Sequence, residues 1–92
     1  MKEILENTAQ IKEKIDSYIR KNTLSNISNL NDKTLLFREG IFDSMAFVLL
    51  IDYVEETFGI KTSDEDLIEE NFESIDAITR YITHKFEIGA VR

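Results

Sequence analysis

Apolar residues recur at helical spacing along the start of the chain. Ile4, Thr8, Ile11, Ile15, Tyr18 and Ile19 form one stripe, while Lys12, Glu13, Lys14 and Arg20 take other faces. The spacing predicts a helix from about Glu3 to Lys21, with Arg20 and Lys21 suited to the negative end of its dipole. The pattern then changes. Over residues 22–43 the turn formers Asn22, Thr23, Ser25, Asn26, Ser28, Asn29, Asn31 and Asp32 give way to Leu35, Leu36, Phe37, Ile41 and Phe42, with Leu24, Ile27 and Leu30 interleaved. A structureless loop of ~20 residues is uncommon in a compact fold. These apolar side chains are therefore expected to anchor the loop to the core, with room for a short helical turn.

A second helix is predicted from Asp43-Ser44 to Gly59. Either Asp43 or Ser44 can cap it, and Gly59 can take the left-handed conformation that ends it, with Ile60 making the apolar contact beyond. At 100° per residue, Phe47, Ile51, Val54 and Phe58 stack as its core face, flanked by Val48 and Leu50. Met45, Leu49, Asp52 and Glu56 stack on the opposite face. Ser63-Asp64-Glu65-Asp66 reads as the start of a short third helix reaching about Glu70. Ser74 is placed to cap a fourth, which carries Ile75, Ile78, Ile82 and Phe86 inward. The expected fold is all-α: a small four-helix bundle with a long loop between helices 1 and 2 and a short third helix. It is expected to be one domain over residues 1–92, with 1–2 and about 87–92 frayed.

Composition narrows the function. The chain of 92 residues has no proline, no cysteine and one histidine, His84. That excludes a disulfide framework, a thiolate metal site and a cysteine nucleophile. Its net charge is −7, and the excess lies wholly in residues 43–92, with twelve acidic and four basic groups. A nucleic-acid partner is disfavoured, because phosphate binding needs a basic patch. A basic protein surface fits better, although an acidic surface can equally serve solubility alone. No apolar run approaches membrane-spanning length, and the start, MKEILENTAQ, lacks the apolar core of a signal peptide. The expected location is cytoplasmic, with no membrane contact, and the expected state is a monomer.

The informative stretch is Gly40-Ile41-Phe42-Asp43-Ser44-Met45. Gly40 permits a sharp turn, and Asp43-Ser44 then opens an amphipathic helix. A primary hydroxyl is thereby set at the positive end of a helix beside a carboxylate. Free N–H groups and the dipole favour an anion there, so Ser44 is placed to carry a phosphodiester, or simply to cap the helix.

In this stretch the chain resembles the acyl carrier protein family, whose attachment motif is Asp-Ser-Leu after a glycine-containing turn. Here Gly40, Asp43, Ser44 and Met45 stand for it, with methionine in place of leucine. Leu35-Leu36 look like the family's loop anchors. Val48, Ile51, Val54, Glu55, Glu56 and Phe58 look like its second helix, and Gly59-Ile60 with residues 63–66 like the junction that follows. Ser74 to Ile78 and Tyr81-Ile82 look like its last helix. The likeness is close over about 31–83 and holds for the first helix only by pattern.

The resemblance implies a fold of acyl-carrier-protein type and a function as a carrier, not an enzyme. It implies that Ser44 accepts 4′-phosphopantetheine from coenzyme A through a magnesium-dependent phosphopantetheinyl transferase, with Asp43 assisting recognition. The arm's thiol would then hold acyl or aminoacyl cargo as a thioester, which suits a chain without cysteine. Further partners implied are a loading ligase and downstream transferase or synthase enzymes. The common fatty-acid carriers tend to have acids along the exposed face of helix 2. Here Ala46 and Leu49 replace two of them, while Asp52, Glu55 and Glu56 remain acidic. That departure points to a dedicated biosynthetic pathway, with partners reading Met45 and Leu49 by apolar contact and Asp52 and Glu56 by charge. The alternative is an unmodified acidic docking module of the same fold.

Other sites are weaker. Residues 64–66 lack the glycine of a calcium loop and have Ile68 where an oxygen ligand is needed. The acids crowded over 64–76 are expected to repel one another. Nothing in the sequence brings His84 to Ser44, so a hydrolytic triad has no support.

Overall fold

Isoleucines one turn apart set the first helix. In the computed structural model, which describes residues 8–22 and 30–91, α1 spans Thr8–Asn22 and buries Ile11, Ile15 and Ile19 completely. The predicted start at Glu3 and the stripe residue Ile4 lie outside the described residues. At the end of α1, Arg20 Nε donates to Asp16 Oδ1 at 2.6 Å and its Nη2 donates to the Leu30 carbonyl at 3.1 Å.

The loop is anchored as its apolar content predicts. Leu30, Leu36 and Phe42 are buried, and Phe37 and Ile41 pack against them. A single helical turn closes with the Glu39 N–H donating to the Leu35 carbonyl at 2.9 Å. The Leu36 N–H donates to the Glu73 carbonyl at 2.7 Å, tying the loop to the far side of the bundle.

α2 spans Ser44–Phe58, and Gly59, at φ 66°, donates its N–H to the Glu55 carbonyl. Its buried face is turned from the predicted one. Leu50 and Val54 are fully buried and Phe58 nearly so, Phe47 and Ile51 are only half-buried, and Val48 is 54% exposed. The cause is the cover that α1 provides. The Tyr18 ring stacks on Tyr53 at 4.1 Å, on the Leu50 edge of α2, so burial shifts toward that edge and away from Val48.

The predicted third helix is divided. A 3₁₀ turn at Asp64–Asp66 is followed by an extended Ile68, and α3 covers only Glu69–Phe72. The Asp66 carbonyl explains the break. It accepts the Asn71 Nδ2 at 2.7 Å and the Ile68 N–H at 2.9 Å, instead of the bond to residue 70 that a continuous helix would make.

α4 spans Ile75–Glu87, with Ser74 Oγ accepting the Ala77 N–H at 3.1 Å. Ile75, Ile78 and Ile82 are fully buried, and Phe86 packs at the core's edge. Beyond α4, where fraying was expected, the chain turns at Gly89. The Lys61 N–H donates to the Ala90 carbonyl at 3.0 Å, and Ile60 pairs with Val91.

The described residues thus form four α-helices with one core. A chain of ring contacts runs through it: Phe42 to Phe37, Phe37 to Phe47, Phe47 to Phe72 and Phe72 to Tyr81. It links the loop, α2, α3 and α4 in order.

Two of the crowded acids have cationic partners, which removes part of the expected repulsion. Asp76 pairs with Lys12 at 2.9 Å and with Lys33 at 3.3 Å, joining α4 to α1 and the loop. The hydrogen bond from Lys12, partly opposed by burial, holds the Asp76 carboxyl below its ordinary range, and the same bond raises Lys12. Asp66 Oδ2 accepts from Lys85 Nζ at 2.7 Å and from the Tyr81 hydroxyl at 2.8 Å. Burial works against the Asp66 charge. The bonds from Lys85, Tyr81 and the Ser63 N–H outweigh it, and the carboxyl lies below its ordinary range. Burial, followed by the bond to Asp66, pushes the Tyr81 hydroxyl well up.

Candidate functional site

The site begins with a turn that only glycine enters easily. Gly40 has φ 78°, a left-handed conformation. The two N–H groups that follow, of Ile41 and Phe42, both donate to the Leu36 carbonyl, at 2.9 and 3.0 Å. Phe42 is buried and contacts Phe37. The chain is therefore pinned to the core one residue before Asp43 and two before Ser44.

Asp43 is extended, at φ −118° and ψ −171°, and its Oδ1 accepts the Ala46 N–H at 2.9 Å. Its carbonyl accepts the Phe47 N–H at 3.0 Å. The choice between Asp43 and Ser44 as cap is settled: Asp43 is the cap, and Ser44 is the first residue inside the helix. Ser44 is exposed. With capping done by its neighbour, its hydroxyl is left at the surface, at the positive end of a 15-residue helix. The N–H groups of Ser44 and Met45 belong to the first turn, where no intrahelical carbonyl is in reach. This donor set suits a phosphodiester on Ser44 Oγ.

Met45 is 66% exposed and Leu49 51%, and Asp52 and Glu56 are exposed as well. These four continue from Ser44 as a ridge along the outside of α2. Val48, expected at the core's flank, is exposed and belongs beside them. Its angular distance from the Leu50–Val54–Phe58 line was the available signal. Leu67 and Ile68, at the break before α3, are further exposed apolar residues.

A cleft of about 320 Å³ opens next to Ser44, between the end of α1 and the start of α2. Tyr18, Ile19 and Asn22 form its α1 wall, and Met45, Ala46 and Leu49 its α2 wall. Residues 40–43 close one end. Nothing in the sequence pattern announces this cleft, because it joins elements more than twenty residues apart.

His84 is exposed on α4 and is not among the residues gathered here. Among the described residues no cluster of three or more His, Cys, Asp or Glu is arranged to hold a metal ion. None of the described helices is long and apolar enough to cross a membrane.

Comparison with known proteins gives one family. The family model described as "Phosphopantetheine attachment site" matches residues 11–82, a span that runs from α1 through Ser44 into α4. No curated protein matches the chain.

Proposed function

Because the chain belongs to the phosphopantetheine attachment family, we propose that Ser44 is the residue on which this protein carries its arm. The family bears 4′-phosphopantetheine covalently; its domains are not themselves catalytic and work with modifying and synthase enzymes. The bundle is accordingly of acyl-carrier type. What supports Ser44 is one observation: an exposed serine hydroxyl at the N-terminus of α2, with the cap supplied by Asp43. When bound, the arm supplies a thiol that holds cargo as a thioester. Ser44 Oγ supplies the ester oxygen. Asp43 holds the first turn of α2 in shape and offers a carboxylate to the transferase. The buried Phe42 keeps both residues at a fixed height above the core.

In our reading this is a monomeric, cytoplasmic carrier of one domain, serving a dedicated biosynthetic pathway rather than bulk fatty-acid synthesis. It takes acyl or aminoacyl cargo from a ligase and passes it to a transferase or synthase. The test is intact mass before and after incubation with a promiscuous phosphopantetheinyl transferase, coenzyme A and magnesium. The wild type should gain one phosphopantetheine and Ser44→Ala none. No gain on folded apo wild type would favour the unmodified docking module instead.

Partner choice is assigned to the ridge. Met45 and Leu49 give apolar contact close to Ser44, and Asp52 and Glu56 give charge further along. Leu49→Glu changes the surface of an exposed position and should leave the fold intact. It should lower kcat/KM of the loading ligase about tenfold, the scale of one interface anchor. Unchanged turnover would remove Leu49 from the interface.

A further inference from the structure

The cleft between α1 and α2 has no part in the function so far. Its volume of about 320 Å³ falls within the range of small-molecule sites. Asp43 and Met45, which line it, are the two neighbours of Ser44 in the chain, so it opens beside the attachment position.

Helix geometry gives its side of α2. Ala46 and Leu49 fall on the same flank as Tyr53, the flank that α1 covers through the Tyr18–Tyr53 stack. Val48 and Glu55 fall on the opposite flank, where Glu55 Oε2 accepts the Thr62 N–H at 3.1 Å just before the 3₁₀ turn. Ser44 itself falls within about 40° of Val48 and Glu55, so an arm enters the cleft, on the α1 flank, by crossing the outer face of α2 at Met45, which lines it.

Resting on the carrier reading of Ser44, we propose that this cleft is a binding site for the pantoyl half of the attached arm. That half follows the phosphate directly. It presents a carbon bearing two methyl groups, then a hydroxyl, then an amide. The lining offers partners for each chemistry. Ile41, Met45 and Leu49 give apolar surface for the geminal methyls, and Tyr18 and Asn22 bring a phenol and a carboxamide on the α1 wall. The Asn22 Nδ2 donates to the Tyr18 carbonyl at 2.8 Å, which fixes that side chain at the end of α1. From Met45 to Leu49 the cleft follows α2 for one turn, about 6 Å. That length holds the start of the arm and leaves the thiol end outside, within reach of partner enzymes. Met45 and Leu49 then have two faces to serve, the arm and the partner.

The experiment is heteronuclear NMR on isotope-labelled wild type, apo and transferase-modified, with intact mass confirming conversion. On modification, amide shifts should change more at Asn22, Ile41, Ala46 and Leu49 than at Leu67 and Ile68. Nuclear Overhauser contacts should join the arm's geminal methyls to Ile41, Met45 or Leu49. Changes centred on Val48, Leu67 and Ile68 would put the arm on the other flank and overturn the proposal. Changes confined to Asp43, Ser44 and Met45, without such contacts, would mean an arm free in solvent and would overturn it equally. A sample that gains no mass would defeat the carrier reading first, and this inference with it.

Discussion

Phe72→Ala should cost about 3–5 kcal/mol, as large aromatic truncations in a core do. A fold of this size has only about 5–15 kcal/mol in total, so the variant should be largely unfolded by modest denaturant. Phe72 is completely buried, and its ring meets Phe47 at 5.3 Å and Tyr81 at 5.0 Å. α3 has one turn and cannot hold itself in place; this ring is what seats it. The effect should travel further. Glu73, next in the chain, accepts the loop bond from Leu36, and Leu36 in turn organises Ile41 and Phe42 ahead of Ser44. The measurement is equilibrium urea unfolding followed by circular dichroism, with Phe72→Leu as the milder companion. A cost below about 1 kcal/mol would place Phe72 outside the core, against the burial rule for aromatics.

The second large effect is expected at Lys85. Its side chain is buried, and its ammonium lies on Asp66 at 2.7 Å, near the Tyr81 ring. Lys85→Met keeps the stem and removes the charge, leaving Asp66 with Tyr81 and the Ser63 N–H. At neutral pH the loss should be about 1.5–3 kcal/mol, the scale for hydrogen bonds to a charged group. The pH dependence gives the sign. The folded-state Asp66 carboxyl lies below its ordinary value of 3.8. Its stabilising contribution is therefore complete above that value and is lost as pH falls through the lower, folded one. The gap between wild type and Lys85→Met should be full at pH 7 and should close below about pH 4. Urea midpoints at several pH values would show this. A gap that persists unchanged into acid would mean that Lys85 acts by packing alone.

The elements that were legible in the sequence are those fixed by neighbours in the chain. Asp43 and Gly59 bound α2 because it needs a side-chain oxygen that accepts at one end and a left-handed residue at the other. Ser74 opened α4 for the same local reason. The Gly40–Ser44 segment was legible because its turn, its buried phenylalanine and its cap are all close in sequence. The break at Ile68 was not: the Asp66 carbonyl takes the Ile68 N–H and the Asn71 side chain, and the acid-rich pattern of 63–70 reads the same with or without that choice. Val48 was misplaced because periodicity gives the spacing of a face but not which neighbour covers it. The cleft beside Ser44 was invisible for the same reason: its walls come from opposite sides of a long loop.

The Tyr18–Tyr53 stack has an optical consequence. The chain contains no tryptophan and three tyrosines, so its intrinsic ultraviolet emission is tyrosine emission alone. Two of those three rings face each other at 4.1 Å across the seam between α1 and α2. One of them, Tyr18, is also a wall of the cleft. Any event that parts or crowds that seam alters the coupling of the two chromophores, and the native molecule thus has its own unlabelled gauge for it.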